Sequence, residues 1–267
     1  MLQPDRAKGL AAKGVSVAYG RSVVVEGLDL TIPAGVFTAL IGPNGSGKST
    51  ILRALAGLLA PKAGTIRLDG GSISELSTKK VARRIGVLAQ GPIAPEGLTV
   101  LDLIRQGRYP HRSLFGHWSE KDDEACGEAL RLTGMEELQA RPLDSLSGGQ
   151  RQRAWIAMTL AQETPILLLD EPTTFLDLAH QIEVMELIAE LVRNREKTVV
   201  AVLHDLNQAA RYADHMVMLK DGKVSAAGKP ADVMTAETVK DVFGVASVIF
   251  PDPVAGTPMC VARSERG

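Results

Sequence analysis

The chain has 267 residues, 45% of them hydrophobic, enough for one large α/β domain or a core with a sizeable insertion. Its 30 basic residues are balanced by 31 acidic ones, which excludes a polybasic nucleic-acid binder or membrane anchor. MLQPDRAKGL has no apolar signal core, Leu30 to Gly47 is broken by prolines and glycines and cannot span a bilayer, and Cys126 and Cys260 lack metal-ligand spacing. These features read as a soluble cytosolic protein with reduced thiols, whose membrane role, if any, comes through a partner.

In chain order, LAAKGVSVAYG and SVVVEGLDLTI are expected to form an antiparallel pair turning at Gly20-Arg21, with GTIRLDG (64–70) as a third strand. Tyr19, near the end of the first strand, offers an aromatic face for adenine; packing on the turn is the plainer alternative. VFTALIG (36–42) is the first of four short apolar runs with little alternation, the pattern of buried parallel strands. It leads into GPNGSGKS (42–49), which fits G-x-x-x-x-G-K-S without a gap, and then into STILRALAGLL, a helix former. Its glycines would let successive backbone N–H groups of the loop Gly42, Pro43, Asn44, Gly45, Ser46, Gly47 face a phosphate, Pro43 itself having none to donate, and the helix N-terminus at Lys48, Ser49 and Thr50 adds its positive end. Lys48 would bridge the β- and γ-phosphates, and the Ser49 hydroxyl would ligate Mg²⁺.

The second run, IGVLAQ (85–90), ends in Gln90, whose amide carbonyl can reach metal or water or merely close the strand. Residues 91–160 are expected to be an inserted helical subdomain. TVLDLIRQG (99–107), SEKDDEACGEALRLTG (119–134) and the segment after Gly149 carry helical spacing, with a capping box at Ser119 and Asp122. From Gly91 to Trp118 the chain carries Arg108, Tyr109, His111, Arg112, Phe115 and Trp118, a basic and aromatic mix expected to be exposed and suited to an interface.

LSGGQRQR (146–153) looks like a helix start with its charges reversed. Ser147 can cap it, yet Arg151 and Arg153 sit near the positive end of the dipole. The phosphate loop lies about a hundred residues upstream and needs no help from its own subunit. In a head-to-tail dimer, however, Ser147, Gly148, Gly149 and Gln150 of one copy would close over the γ-phosphate held by the other, giving two equivalent sites.

The third run, ILLLD (166–170), ends in Asp170, which can hold the Mg²⁺ shell; Glu171, pointing elsewhere, can polarise a water opposite the γ-phosphate. A helix cap is the alternative for an isolated acidic pair. The fourth, VVAVLH (199–204), ends in His204, placed to contact the γ-phosphate. Ligands of open α/β sheets sit at the carboxyl ends of strands, so four such endings describe one site. The tail after Phe243, with Pro251, Pro253 and Pro258, is expected to be a loosely structured extension.

The order Tyr19, GPNGSGKST, Gln90, LSGGQRQR, ILLLDEP, Leu176-Asp177 and His204 resembles the ATP-binding subunits of ABC transporters over essentially the whole chain. The resemblance implies an α/β fold with a P-loop NTPase (RecA-like) core at 1–90 and 161–244. An N-terminal antiparallel β subdomain, a helical signature subdomain at 91–160 and a C-terminal extension at 245–267 would complete one ABC ATPase domain. It implies ATP and Mg²⁺, adenine stacking on Tyr19, a Gln90 loop sensing both Mg²⁺ and a membrane partner, and Asp177 linking two sites across a homodimer. Where the family often has Ser-Ala-Leu-Asp, this chain has Thr174-Phe175-Leu176-Asp177.

RQGRYPHRSLFGHW, SGGQRQRAWIAMTLAQETPILLLDEPTTFLDLAHQIEVMELI and VLHDLNQAARYADHMVMLKDGKVSAAG look like ATPase subunits of bacterial ferric-siderophore importers; haem and cobalamin importers share the architecture. This implies an ATPase powering siderophore import through a separate polytopic permease, fed by a periplasmic or lipoprotein siderophore-binding protein. Its place would be peripheral, on the cytoplasmic face of the bacterial inner membrane. A soluble ABC protein acting on DNA or ribosomes is the lesser alternative, since the insertion is too short for coiled-coil arms and only one ATPase half is present. A P-loop kinase would leave LSGGQ and His204 without work.

Overall fold

The computed structural model describes residues 9–91, 95–112, 117–174 and 176–263. Phe115 and Phe175 lie outside them. The N-terminal strands β1 (Gly9–Tyr19) and β2 (Ser22–Pro33) pair antiparallel from Gly9 opposite Pro33 to Tyr19 opposite Ser22, turning at Gly20-Arg21 as expected. After β3 (Phe37–Ile41) and α1 (Lys48–Leu55), β4 (Ala63–Leu68) joins β1, and β5 (Gly71–Ser72) closes a four-stranded antiparallel sheet ordered β2-β1-β4-β5.

The chain then passes through α2 (Thr78–Ala82) to β6 (Ile85–Leu88), and through three longer helices, α3 (Val100–Gln106), α4 (Glu120–Thr133) and α5 (Gly148–Ala161). The remaining core elements are β7 (Ile166–Asp170), α6 (Leu178–Arg195), β8 (Thr198–Val202), α7 (Leu206–Tyr212), β9 (His215–Lys220) and β10 (Lys223–Gly228). Together they make a six-stranded sheet ordered β10-β9-β3-β8-β7-β6, parallel except for the β9–β10 hairpin.

Every residue of β3, β7 and β8 is buried. Phe37, Ala39, Leu167, Leu169, Val199 and Ala201 pack towards α6 and α7. Leu40, Ile166, Leu168, Val200 and Val202 pack towards α1 and the antiparallel sheet. Two buried faces leave no polar alternation, which is why these runs were legible as parallel strands. The neighbouring β9 is just as buried at Met216, Val217, Met218 and Leu219, but methionine is a weak strand signal and this strand does not stand out in the sequence.

The three inserted helices have their own core of Val100, Leu103, Ile104, Cys126, Leu130 and Ala157. Capping boxes open α3 at Thr99 and α4 at Ser119. Behind them lies a buried ion pair. Arg108, expected on an exposed face, is only 3% exposed. Its guanidinium donates to Asp122 Oδ1 at 2.8 Å, to the Ala161 carbonyl at 2.7 Å and to Glu163 Oε2 at 2.6 Å. Asp122 spends its other oxygen on the Ser119 cap, so one carboxylate starts a helix and anchors the arginine that joins three helix ends.

The expectation of a loose C-terminal extension is not met. After α8 (Pro230–Val233) and α9 (Ala236–Phe243), β11 (Ser247–Pro251) and β12 (Pro258–Ala262) form a hairpin in which Pro251 faces Pro258 next to the turn. The prolines sit on edges, where a missing N–H costs little. Ile249 and Cys260 pack on the core. Asp252 ties the turn by accepting from the Val254 and Ala255 N–H groups and by pairing with Arg211 of α7. Cys126 and Cys260 are free.

Burial works against the Asp122 carboxylate, but hydrogen bonds from Arg108 and Ser119 outweigh it and hold the pKa at about 2. A depressed carboxylate pKa stabilises the fold fully above the unfolded value near 4 and loses that contribution as pH falls towards 2. Asp122→Asn should therefore cost about 3 kcal/mol at neutral pH, the low end for breaking a buried pair because Glu163 still faces Arg108. Urea unfolding from pH 6 down to pH 3 should show the gap between parent and variant narrowing at the acid end.

Candidate active site

The phosphate loop runs from the end of β3 to Gly47, the N-cap of α1. Gly42 admits no side chain: a Cβ would lie 2.2 Å from the Leu219 carbonyl oxygen and 2.7 Å from Ser46 Oγ. Lys48 is buried, and its ammonium donates to the Gly42 and Pro43 carbonyls at 2.8 and 2.9 Å, which uses two of its three protons. Burial lowers its pKa, against the opposing pull of Glu171 and Asp170. The lysine is thus a cation held in place by the loop itself, beside an open depression of about 180 Å³ bounded by Val24 of β2, the loop and Glu171.

Asp170 at the end of β7 accepts the Ser49 hydroxyl at 2.8 Å through Oδ1, while its Oδ2 is buried without a hydrogen-bond partner. Burial raises its pKa, with Ser49 acting in the opposite direction. An orphaned carboxylate oxygen beside a hydroxyl is a donor set for a hard cation. Asp170 and Ser49 could contribute to the shell of Mg²⁺, whose remaining ligands are usually phosphates and water.

Glu171 adopts a left-handed backbone, φ 54°, an uncommon state for a residue with a side chain. Its carboxylate is held at both ends: Oε1 lies 2.7 Å from His204 Nε2, and Oε2 accepts the Thr174 hydroxyl at 3.0 Å. Sequence reasoning passed over Thr174 in this role. Its position three residues after Glu171 was the available signal, since that spacing closes one turn.

The expected loop residues Asn44, Gly45, Gly47, Lys48, Ser49 and Thr50 therefore converge with Asp170, Glu171 and His204. Others stand apart. Gln90 lies beyond β6, exposed and without a hydrogen bond among the described residues. Tyr19 is 47% exposed at the end of β1, on the same hairpin as Val24. Asp177 is the N-cap of α6, accepting from His180 N at 3.0 Å. Ser147 and Gln150 close a capping box, with Ser147 N–H donating to Gln150 Oε1 at 3.1 Å and Gln150 N–H to Ser147 Oγ at 3.2 Å. That leaves the N–H groups of Gly148 and Gly149 as the uncapped donors of α5. Gly149 packs so close to the His180 ring that a Cβ would sit 3.0 Å from it. Arg153 reaches Glu183 at 3.5 Å, and Gln152 donates to the Pro172 carbonyl at 3.0 Å, so the signature helix is tethered to the loop after Glu171.

The segment expected to be an exposed interface is mixed. Tyr109 is 79% exposed. His111 bonds the Gln162 carbonyl at 2.8 Å. Trp118 donates to Asp123 at 2.7 Å and lies under Arg105, 5.1 Å from ring centroid to guanidinium. Around Tyr109 these side chains leave a groove of about 490 Å³.

The sequence model of the family described as ABC transporter matches residues 25–174. The chain belongs to the ABC transporter family. As a member it is an ATP-hydrolysing subunit that powers transport. This ABC subunit is 51% identical to a protein of Bacillus subtilis named as a probable siderophore transport system ATP-binding protein, over 94% of this chain and 92% of that one. It is 52% identical to the ferric enterobactin transport ATP-binding protein of Escherichia coli, over 94% and 93%. Among solved structures it resembles a metal-chelate type ABC transporter in an inward-facing conformation, with TM-score 0.84, 28% identity and coverage of 97% and 98%. A dimeric ABC cassette bound to ADP and inorganic phosphate matches at TM-score 0.73 and 31% identity, over 82% and 98%.

Gly42→Ala should weaken nucleotide binding at least tenfold, because the added methyl meets a backbone carbonyl that no rotamer change can move. Titration with a fluorescent ATP analogue, with circular dichroism confirming the fold, measures it.

Proposed function

We propose that this ABC ATPase powers import of a ferric siderophore through a separate polytopic membrane permease. It would do so as a head-to-tail homodimer on the cytoplasmic face of the bacterial inner membrane, supplied by a periplasmic or lipoprotein siderophore-binding protein. The observation that carries the mechanistic reading is the meeting of Glu171 with His204 beside Lys48 and the Ser49–Asp170 pair. The cargo assignment rests on relatives named for siderophore and ferric enterobactin transport.

In this reading the loop 42–50 holds the phosphates, with Lys48 exchanging its carbonyl partners for phosphate oxygens, and Tyr19 stacks on adenine. Ser49, Asp170 and Gln90 would hold Mg²⁺. When bound, Mg²⁺ supplies charge neutralisation at the β- and γ-phosphate oxygens. Glu171 takes the role of general base towards the attacking water, and His204 fixes its carboxylate and reaches for the γ-phosphate. Ser147, Gly148, Gly149 and Gln150 of the second copy close over the same phosphate; the two uncapped glycine N–H groups at the helix start supply the anion donors that the reversed charge pattern called for. Asp177 of each copy connects the two sites. The groove around Tyr109, on the segment that follows Gln90, would receive the permease.

Glu171→Gln should keep ATP binding while hydrolysis falls roughly a hundredfold or more, as for loss of a general base, and the ATP-bound dimer should accumulate in size-exclusion chromatography with Mg-ATP. Adding Ser147→Arg should dissolve that dimer. Hydrolysis at the parental rate in Glu171→Gln would remove Glu171 from its role, and a surviving ATP-locked dimer in the double variant would refute the facing arrangement. Deleting the gene should abolish growth on the ferric chelate as sole iron source while sparing haem use; unimpaired chelate uptake would overturn the cargo.

A further inference from the structure

His204 and Glu171 come from different strands, β8 and β7, and neither strand end alone fixes the distance between them. The residues that follow each one do. Directly after His204, Asp205 caps α7 by accepting from Asn207 N at 2.7 Å and Gln208 N at 2.8 Å. The first turn of α7 is therefore rigidly joined to the histidine. From that turn, Gln208 Nε2 donates to Gln181 Oε1 at 2.8 Å, and Gln181 Nε2 donates to the Leu176 carbonyl at 3.0 Å. Leu176 belongs to the loop that begins at Glu171, and its N–H turns back to the Thr173 carbonyl at 3.4 Å. The orientation of both amides is fixed by chemistry: a carbonyl partner demands an N–H from Gln181, which leaves only its oxygen for Gln208.

The contacts close a ring, from Glu171 to His204, through α7 to Gln208, across to Gln181 on α6, and back through Leu176 to the loop of Glu171. On its far side α7 is held by the C-terminal hairpin. The Asn207 amide donates to the Cys260 carbonyl at 3.2 Å and accepts from its N–H at 2.7 Å. We infer that Gln181 and Gln208 are positioning residues for hydrolysis: their amide–amide bond sets the histidine loop against the glutamate loop without touching nucleotide. The inference rests on the proposed roles of Glu171 and His204. Both glutamines are half-buried, and a partly buried amide that loses its partner leaves an unsatisfied group, so the ring should open rather than adjust.

The full-length chain carrying Gln208→Met, Gln181→Met or both tests this by steady-state hydrolysis and by binding of a fluorescent ATP analogue. Methionine keeps the length and packing of the side chain and removes the bond. The expected result is a three- to tenfold fall in kcat in each single variant, with KM, nucleotide affinity and binding stoichiometry within twofold of the parent. The double variant should be no worse than Gln181→Met, since the lost bond is shared. Parental kcat in both single variants overturns the inference. So do affinity and kcat falling together, or losses that multiply in the double variant. If Gln181→Met does not fold, Gln208→Met decides alone, because it spares the Leu176 bond. Glu171→Gln is assayed beside them: an inactive Glu171→Gln with parental glutamine variants sinks only the ring, whereas an active Glu171→Gln sinks the reading beneath it.

Discussion

All five residues of β3, of β7 and of β8 are buried, so these strands offer solvent nothing but their ends. Being parallel, they place their carboxyl ends along one edge, and every polar group that must be both fixed and accessible collects there. The Gly42 loop, Asp170, Glu171 and His204 share an edge for that reason, although they are widely separated in the chain. The antiparallel sheet lies over one face of this platform and brings Val24 to the phosphate loop, while α5 of the inserted helices packs Ile156 into the core beneath the sheet and is tethered to the loop after Glu171 by Gln152.

The edge concentrates charge at a cost. Burial disfavours the ionised form of both Lys48 and Asp170, and Asp170 also lies next to Glu171. In a sealed interior such a group would be expelled or neutralised. Here the lysine is caged by carbonyls, the aspartate is half-satisfied by Ser49, and the glutamate is braced by His204 and Thr174. Complementary charge brought by a nucleotide would offset this crowding of ionised groups. That is the physical sense in which a binding site is preorganised at the expense of local stability.

The sequence was informative where one residue type has one physical use. G-x-x-x-x-G-K-S fixed the loop, uninterrupted apolar runs marked β3, β7 and β8, and glycine-rich LSGGQ marked a helix start in need of an anion. It was uninformative where a residue has two uses. Asp122 reads as a cap and is also an ion-pair partner, so Arg108 was assigned to the surface. Three prolines suggested looseness, yet two of them flank a tight turn pinned by Asp252. Gln181 and Gln208 are ordinary polar residues on helices, and only three-dimensional proximity distinguishes their amide pair from solvated surface. Tyr19, Gln90 and the signature residues stand apart from the converging groups, because their proposed partners are a nucleotide, a metal ion and permease, and a second chain.

The sheet order also governs when the molecule can become competent during synthesis. β1, β2 and β4 pair among residues 9–68, so the antiparallel sheet can form soon after it leaves the ribosome. β3 cannot join its own sheet so early, because its two neighbours, β8 and β9, come from residues 198–220. Until then its two apolar faces and the loop that follows have no sheet to lie in. The hairpin that holds α7 is made later still. A nascent chain therefore carries the G-x-x-x-x-G-K-S segment long before the sheet that positions it can form, and a chain halted anywhere before β9 would present an apolar strand without its neighbours, the kind of surface on which chaperones act.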